Sequence, residues 1–334
     1  MKQNLKLGTE YPEVDEEINT RKMADLLIEK KEKKYPAGKV LRGFHSKMHG
    51  CVKAEFTVEH GLSEELRVGI FSKEQTFPAW VRFSNGADTV QPDAKKGFRG
   101  FAIKLMGVPG EKLLEEGDNE TSQDFLFFSK DFISPGNVKD TWEGMHAFFN
   151  GPLKLLVFFL NPRHWGILKD FITMPEHCAN LLEIPYYSAT PYRFGTTGAV
   201  KYVIVPRKKK ESMMPNKPTD DFLKERLISD LESGDFYFDF MIQHQTDAIK
   251  MPIENAAKPW KAPYVKLASI KIPKQSFDTA EQYEFGENLS FNVWHSLPEH
   301  RPLGGVNRAR KTVYQLLSDF RLKRNGAVKQ EPQA

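Results

Sequence analysis

Apolar residues recur at two different periods along the chain, and each period predicts one kind of element. Ile18, Met23, Leu26 and Leu27 have the spacing of a short amphipathic helix, which Pro36 ends. From residue 51 apolar and polar residues alternate instead, as they do in a strand with one buried face. The alternating segments are 51–60, 79–84, 100–107 and 124–129. Four strands in succession predict an antiparallel sheet or barrel.

The rest of the chain has a helical pattern followed by further strands. Residues 137–183 have helical spacing interrupted at Pro152, Pro162 and Pro175, which predicts three or four short helices. The strand pattern then returns, and the chain closes with a helical pattern. These segments are 201–206, 236–245 and 264–272 for the strands and 301–324 for the helix. The sequence therefore predicts a β core of about seven or eight strands with a helical insert.

We interpret the chain as a single α+β domain over residues 1–334, since no repeat or linker divides it. Five parts follow one another along the sequence. They are an N-terminal arm (1–38), the first half of a barrel (39–135), a helical insert (136–185), the second half of the barrel (186–285) and a C-terminal segment with its helix (286–326).

Composition excludes several classes of protein. With 40% hydrophobic residues and 28% charged ones, the chain has enough apolar side chains for a core. The net charge of +4 is far from that of a nucleic-acid-binding surface. Two cysteines, Cys51 and Cys178, cannot form a cysteine zinc site, and they favour a reduced, cytoplasmic setting. The longest apolar run, 155–160, is too short for a membrane span of roughly 20 residues, and no signal peptide is visible.

Common catalytic motifs are missing from the sequence. No glycine-rich phosphate loop is present, and GFRG at 97–100 matches neither known form. No G-x-S-x-G motif surrounds a serine. His45 and His49 lie four residues apart without a third clustered ligand, which makes a histidine metal site a weak interpretation.

Four short motifs together form a more informative pattern. Each has an ordinary structural explanation by itself, because a lone histidine before a strand is usually structural. Their order along the chain carries the information. The motifs are RGFHSKMHG (42–50), VRFS (81–84), RGFAIK (99–104) and RKTVY (310–314), which Arg321 follows seven residues later.

This pattern resembles the haem core of the catalase superfamily. The family motif R-x-x-H-x-K-x-x-G is matched by Arg42, His45, Lys47 and Gly50, and R-x-x-x-Y by Arg310 and Tyr314. The resemblance covers 40–130 and 285–324 well and the middle of the chain only loosely. It implies an antiparallel eight-stranded catalase-like barrel, with haem b between the barrel and a C-terminal haem-binding helix.

The resemblance also implies a role for each matched residue. Tyr314 corresponds to the tyrosinate that binds the iron, and Arg310, one helical turn earlier, would stabilise its anionic form. His45 would move a proton between the peroxide oxygens as general acid and base, oriented by Ser84. The arginines that correspond to partners of the haem propionates are Arg42, Arg82 and Arg321.

Three departures from the family pattern matter. The distal asparagine that helps to bind peroxide is replaced by Gln123 in one alignment and by Ser129 in another. Phe44 stands before His45 where a small branched residue is usual, and its ring would narrow the distal pocket. The long C-terminal extension of typical catalases is also missing. The chain thus resembles the short, catalase-related branch, some members of which process lipid hydroperoxides.

We therefore expect a haem-dependent enzyme acting on organic or fatty-acid hydroperoxides, of peroxidase, allene oxide synthase or lyase type. The alternatives are a true catalase, a haem-binding sensor or carrier, and a barrel that has lost haem. Residues 151–172 are apolar and could line an access channel, touch a membrane peripherally or simply pack as helices. The sequence is also compatible with a homo-oligomer.

Overall fold

The computed structural model describes residues 5–114, 121–329 and 332, in which nine strands form one antiparallel sheet. The alternating segments of the sequence supply most of these strands. They are β1 (Met48–Val58), β2 (Thr76–Asn85), β3 (Arg99–Leu105), β4 (Gln123–Phe128), β5 (Tyr186–Tyr187), β6 (Tyr192–Phe194), β7 (Gly198–Pro206), β8 (Phe236–His244) and β9 (Tyr264–Ile272).

The sheet closes on itself through its shortest strand. The strand order is β5-β4-β3-β2-β1-β9-β8-β7-β6, and β5 pairs with β7 as well as with β4. Tyr187 is opposite Phe128 on one side and Val203 on the other. Eight strands thus form a closed ring, and β6 extends β7 as a hairpin. This confirms the predicted antiparallel eight-stranded barrel.

Phenylalanine side chains fill the barrel interior. Phe101 of β3 contacts Phe238 of β8 with ring centroids 5.6 Å apart, although these strands are not neighbours in the sheet. Phe240 of β8 likewise contacts Phe56 at 5.1 Å and Phe125 at 5.2 Å. An eight-stranded barrel is just wide enough for side chains to fill, and here aromatic rings fill it.

In the part of the chain that the structure describes, seven α-helices lie outside the barrel. They are α1 (Glu16–Lys34), α2 (Val138–Phe149), α3 (Pro152–Leu160), α4 (Trp165–Thr173), α5 (Phe222–Ser233), α6 (Ala280–Asn288) and α7 (Gly305–Asn325). Helices α1, α2 and α7 share a small apolar cluster that includes Met23, Leu27, Val138 and Val313. The three helices therefore form one layer against the sheet.

The helical pattern of the sequence located some of these helices and missed others. Helix α1 ends before Pro36 as predicted, and the insert contains the three short helices α2, α3 and α4. Helices α5 and α6 were not predicted. Helix α6 is mostly polar and buries only Gly286, whereas α5 buries Phe222, Leu223, Leu227 and Leu231, so its sequence did contain an apolar pattern. Helix α7 begins at Gly305, after a short 3-10 turn at Pro298–His300, and not at residue 301.

The aromatic interior gives a direct test of the barrel core. Phe240→Ala removes a fully buried ring that contacts five other aromatic side chains, namely Phe56, Phe71, Phe125, Phe127 and Tyr202. We expect the free energy of unfolding to fall by about 3–5 kcal/mol, measured by urea denaturation. Phe148→Ala, at an exposed ring, is the control and should change it little. Equal effects of the two substitutions would contradict the packing described above.

Candidate functional site

A cavity of about 430 Å³ lies between the outer face of the barrel and the layer formed by α1, α2 and α7. Its volume is within the range of roughly 300–1,000 Å³ that is usual for small-molecule and cofactor sites. Among its described lining residues are four arginines, Arg42, Arg82, Arg310 and Arg321, and no aspartate or glutamate. The side chains that face the cavity thus combine an apolar wall with a strong excess of positive charge.

The register of the sheet determines which strand residues reach the cavity. Ser84, Gly100 and Phe128 are direct neighbours across β2, β3 and β4. Two positions further along lie Arg82, Ala102 and Leu126, and all six line the cavity. The residues between them belong to the barrel core, because side chains alternate between the two faces of a strand.

His45 enters the cavity from the segment before β1. Its Nδ1 lies 3.0 Å from the Ser84 hydroxyl oxygen, and its carbonyl oxygen accepts a hydrogen bond from Arg82 at 3.2 Å. The backbone of His45 has a φ of +57°, which is uncommon for a residue other than glycine and stores strain. These contacts fix the ring through Nδ1 and leave Nε2 as its remaining polar atom.

Gly100 makes the approach of His45 possible. A Cβ atom at this position would lie 2.5 Å from Nδ1 of His45 and 2.7 Å from the Ser84 hydroxyl oxygen. Such distances are shorter than van der Waals contact allows, so any side chain here would displace the imidazole. The glycine is thus a requirement of the site, although the sequence singled it out only as part of the RGFAIK motif.

The His45 imidazole is held in its neutral form. Burial lowers the pKa of His45 to about 3, and the positive charges of Arg82, Arg310 and Arg42 add to the effect. A neutral imidazole can accept a proton at Nε2, which a general base must do.

Three guanidinium groups surround one carboxylate at the edge of the cavity. Arg82 binds Glu287 at 2.9 Å, while Arg42 and Arg321 donate hydrogen bonds to backbone carbonyls, including that of Glu287. Burial alone would raise the pKa of Glu287. The charges of Arg82, Arg42 and Arg321 lower this pKa by more than burial raises it, so it lies below its usual value. Burial raises the pKa of the nearby Cys51 thiol to about 12, so the thiol is uncharged.

This cluster therefore has more positive than negative charge. Three guanidinium groups face one carboxylate, and within residues 5–114, 121–329 and 332 no second carboxylate is recorded as an ion-pair partner of these arginines. Buried nitrogen atoms of all three arginines also lack a hydrogen-bond partner: Nε of Arg42, Nε of Arg82 and one Nη of Arg321. Buried charges need partners of opposite sign, so the cluster fits a ligand with two negative charges.

Arg310 and Tyr314 lie one turn apart on α7, and both line the cavity. Arg310 donates hydrogen bonds to Oγ1 of Thr190 at 3.2 Å and to Oδ1 of Asn307 at 3.1 Å. Both residues are partly buried, so they do not form the exposed pair that their spacing alone would also fit. The predicted contact between the guanidinium and the phenol is not among these hydrogen bonds of Arg310.

The structure brings most of the predicted site residues together and leaves two aside. Those that line the cavity are Arg42, Phe44, His45, Arg82, Ser84, Arg310, Tyr314 and Arg321. Gln123 does not line it: its Oε1 accepts a hydrogen bond from the Leu297 amide, and it shares a strand side with Phe125 of the barrel core. The Ser129 hydroxyl accepts a hydrogen bond from the Arg99 amide and is likewise outside.

Other residues of the first motif have structural contacts. Lys47 forms ion pairs with Asp93 at 2.9 Å and Asp221 at 2.8 Å. His49 bonds to the Asn85 side chain at 3.0 Å and does not line the cavity. The motif therefore divides into cavity residues at its start and supporting residues at its end.

Glu287 is the site residue that the sequence analysis missed. It lies in α6, a helix without a clear amphipathic pattern, and no motif contains it. A possible signal was the excess of arginines in the motifs, because buried guanidinium groups require a carboxylate somewhere in the chain.

The low pKa of His45 predicts that its imidazole takes up no proton between about pH 8 and about pH 4. Because the unfolded chain would bind that proton near its usual pKa, this group destabilises the fold as the pH falls below about 6.5. We expect the ¹³Cε1 chemical shift of His45 to stay constant over this range in the protein without added ligand, with His45→Asn providing the assignment. A titration midpoint near 6.5 would contradict the burial and charge described here.

Comparisons with known proteins agree with this architecture. No protein-family model matches the chain, and no curated protein matches it in sequence. Among solved structures it is similar to a fungal catalase (TM-score 0.68, 17% identity), covering 96% of this chain and 66% of that one. Catalase A from Saccharomyces cerevisiae gives a TM-score of 0.67 at 18% identity, covering 96% of this chain and 68% of that one. A bacterial catalase gives a TM-score of 0.66 at 14% identity, and the match covers 99% of this chain and 67% of that one.

The chain thus spans about two thirds of the length of these catalases. The similarity extends over the barrel and over the helices that enclose the cavity, since it includes nearly the whole chain described here. At such low identity a shared three-dimensional arrangement, and not sequence, carries the comparison. The chain has the fold of the catalases.

Proposed function

We propose that the cavity binds haem b and that the protein is a haem-dependent enzyme acting on hydroperoxides. The observation that carries the proposal is the charge of the cavity: its described lining residues include four arginines and no acid, among side chains that are mostly apolar. A haem group has this same combination, an apolar macrocycle with two carboxylates. The fold shared with catalases supports the same conclusion.

The arginine cluster fits the two propionates. Its two uncompensated positive charges equal the charge of two carboxylates, and its unpartnered nitrogen atoms are available as donors. Arg42, Arg82 and Arg321 would hold these groups by charge-assisted hydrogen bonds, which are stronger than neutral ones. Glu287 would keep Arg82 in place, as it does in the structure described here.

Tyr314 and His45 would have separate roles towards the haem. Tyr314 would hold its iron through the phenol oxygen, and tyrosine is a known haem ligand in catalase. When bound, the haem supplies the redox chemistry that cleaves a peroxide O–O bond. His45, neutral and oriented by Ser84, would accept the hydroperoxide proton at Nε2 and return it to the leaving oxygen.

Several features favour organic hydroperoxides over hydrogen peroxide. No asparagine or glutamine is among the described residues that line the cavity, so the amide that helps catalases to bind peroxide has no counterpart there. Apolar side chains from β4 and α2, among them Leu126, Phe128 and Met145, contribute to the wall. Such a wall suits an alkyl chain better than a small polar peroxide. The names of the similar structures favour the second candidate, a true catalase.

The iron ligand is tested by Tyr314→Phe. Removal of the phenol oxygen takes away the proposed iron ligand, and we expect haem occupancy per chain, measured by Soret absorbance after haem addition, to fall sharply. Tyr192→Phe is the matched control, because Tyr192 also lies near Arg310 and is not among the residues that line the cavity. Full occupancy with an unshifted Soret band in Tyr314→Phe would place the axial ligand elsewhere.

The proton-transfer role is tested by His45→Asn. Asparagine tolerates the positive φ of this position, so the backbone should be kept while the imidazole is lost. We expect haem to be retained and hydroperoxide turnover to fall by about 10²–10⁴-fold. His49→Ala, normalised to its haem content, serves as control and should remain active, since His49 lies outside the cavity.

Turnover of two substrates by the unmodified protein, a fatty-acid hydroperoxide and hydrogen peroxide, separates the two candidate functions. Rapid loss of the diene absorbance of a fatty-acid hydroperoxide, with little oxygen released from hydrogen peroxide, supports the organic substrate. Vigorous oxygen release from hydrogen peroxide supports a catalase. Unchanged turnover of every hydroperoxide in His45→Asn would remove His45 from the mechanism.

A further inference from the structure

Helix α3 exposes the face that an amphipathic helix normally buries. Its apolar residues Leu153, Leu156, Val157 and Leu160 have the spacing i, i+3, i+4 and i+7, which is one continuous stripe. All four are between 58% and 73% exposed, while Phe158 on another face is buried. Simple packing of helices, one of the three alternatives for residues 151–172, therefore does not account for this stripe.

Neighbouring elements enlarge this apolar surface. Trp165, Phe171 and Ile172 of α4 and Phe148 of α2 are also about half exposed or more. The rings of Phe148 and Phe171 lie 6.3 Å apart, and the Trp165 indole donates to the Phe159 carbonyl, which joins α4 to α3. We call this surface the insert patch; it consists of Phe148, Leu153, Leu156, Val157, Leu160, Trp165, Phe171 and Ile172. Apolar surfaces of this kind mark sites of interaction with a protein, a ligand or a membrane.

The insert patch is continuous with the wall of the cavity. Helix α2 lines the cavity through Thr141 and Met145 and reaches the patch one turn later at Phe148. Met174 lines the cavity as well and follows Ile172 of the patch by two residues. The side chains of α2 and of the end of α4 therefore offer an apolar molecule a route from the patch to the cavity.

The charges and the lengths of these helices favour a bilayer as the occupant. Residues 151–174 contain three cations, Lys154, Arg163 and Lys169, and one acid, Asp170. Arg163 is paired with Asp140 of α2 at 2.7 Å, so the charge argument rests on the two lysines. Lys154 and Lys169 are exposed, as a surface that meets anionic headgroups requires. Trp165 has the amphipathic ring typical of membrane interfaces. No helix within 5–114, 121–329 and 332 is long and apolar enough to cross a bilayer, so contact would be interfacial.

We propose that the insert patch binds the surface of anionic lipid bilayers and that the cavity takes its substrate from them. Leu153, Leu156, Val157 and Leu160 would enter the acyl region, with the lysines at the headgroups. The substrate class is then a hydroperoxide of a membrane lipid acyl chain. This second part rests on the proposed function, whereas the binding of bilayers does not.

Binding is tested by sedimentation of the purified protein, whatever its haem content, with vesicles of phosphatidylcholine and phosphatidylglycerol, and with vesicles of phosphatidylcholine alone. We expect binding to the anionic vesicles, weakened about tenfold or more by Leu160→Asp, because the side chain would leave an apolar environment. Ile249→Asp, at an equally exposed apolar residue outside the patch, is the matched control and should bind as the unmodified chain does. Lys154→Gln and Lys169→Gln, which each remove one positive charge, should each weaken binding about fivefold on anionic vesicles alone.

Other results would overturn the proposal. Absence of binding to both vesicles, or an equal loss in Leu160→Asp and Ile249→Asp, removes the patch as a membrane site. Equal binding to the two vesicle types overturns the assignment to anionic surfaces. A dimer that becomes a monomer in Leu160→Asp, without vesicle binding, would show that a second copy of the chain covers the patch.

Turnover separates this inference from the proposed function. Leu160→Asp should slow turnover of a phospholipid hydroperoxide presented in vesicles and leave that of cumene hydroperoxide, a water-soluble substrate, unchanged. Equal turnover of both substrates by the variant and the unmodified chain would overturn delivery from the bilayer. If vesicles bind and neither substrate is converted, the proposed function fails while the membrane site stands.

Discussion

The site depends on positive charge that is held out of water around one carboxylate. Arg42 precedes β1, Arg82 lies on β2, Arg321 lies near the end of α7, and all three meet at Glu287 of α6. Taking an ion out of water costs several kcal/mol unless an opposite charge compensates for it. Glu287 compensates for one of the three, so the fold is least stable by itself and most stable with a dianion. Ligand affinity and stability are coupled here, because a ligand that binds only the folded chain stabilises it.

The same charges act on His45. Together with burial they keep its imidazole neutral, and the strained backbone and Gly100 position the ring against Ser84. A dianion bound at Arg82 and Arg42 would reduce the repulsion that His45 now experiences, since those guanidinium groups are among its sources. Binding of the ligand and the proton affinity of His45 are therefore linked through two arginines that contact the cavity from one side.

The sequence predicted what depends on local pattern and on short motifs. Alternation located the long strands, and the motifs located eight cavity residues, because strand register carries Ser84 and Arg82 to the same face as Gly100. The closing strand β5 has two residues, too few for any pattern, and it forms through its pairing with β4 and β7. Gln123 was expected at the cavity and lies on the other side of β4, for a related reason. Alignment of motifs gives a position to within a residue or two, whereas successive residues of a strand point to opposite faces of the sheet. The place of Glu287 in the site could not be predicted, because it arises from contacts of α6 with the segments that carry Arg42, Arg82 and Arg321. No local sequence pattern contains such long-range contacts.

The aromatic interior of the barrel explains why the cavity and the insert are neighbours. Rings such as Phe101, Phe125 and Phe240 leave the barrel no space for a ligand, so a ligand must lie on the outer face. There it needs a cover, which α1, α2 and α7 provide through their shared apolar cluster. Helix α2 uses one side for that cover and carries the next two helices of the insert at its end. A barrel packed in this way therefore places its ligand cavity under α2, the same helix that leads into the exposed apolar helices of the insert.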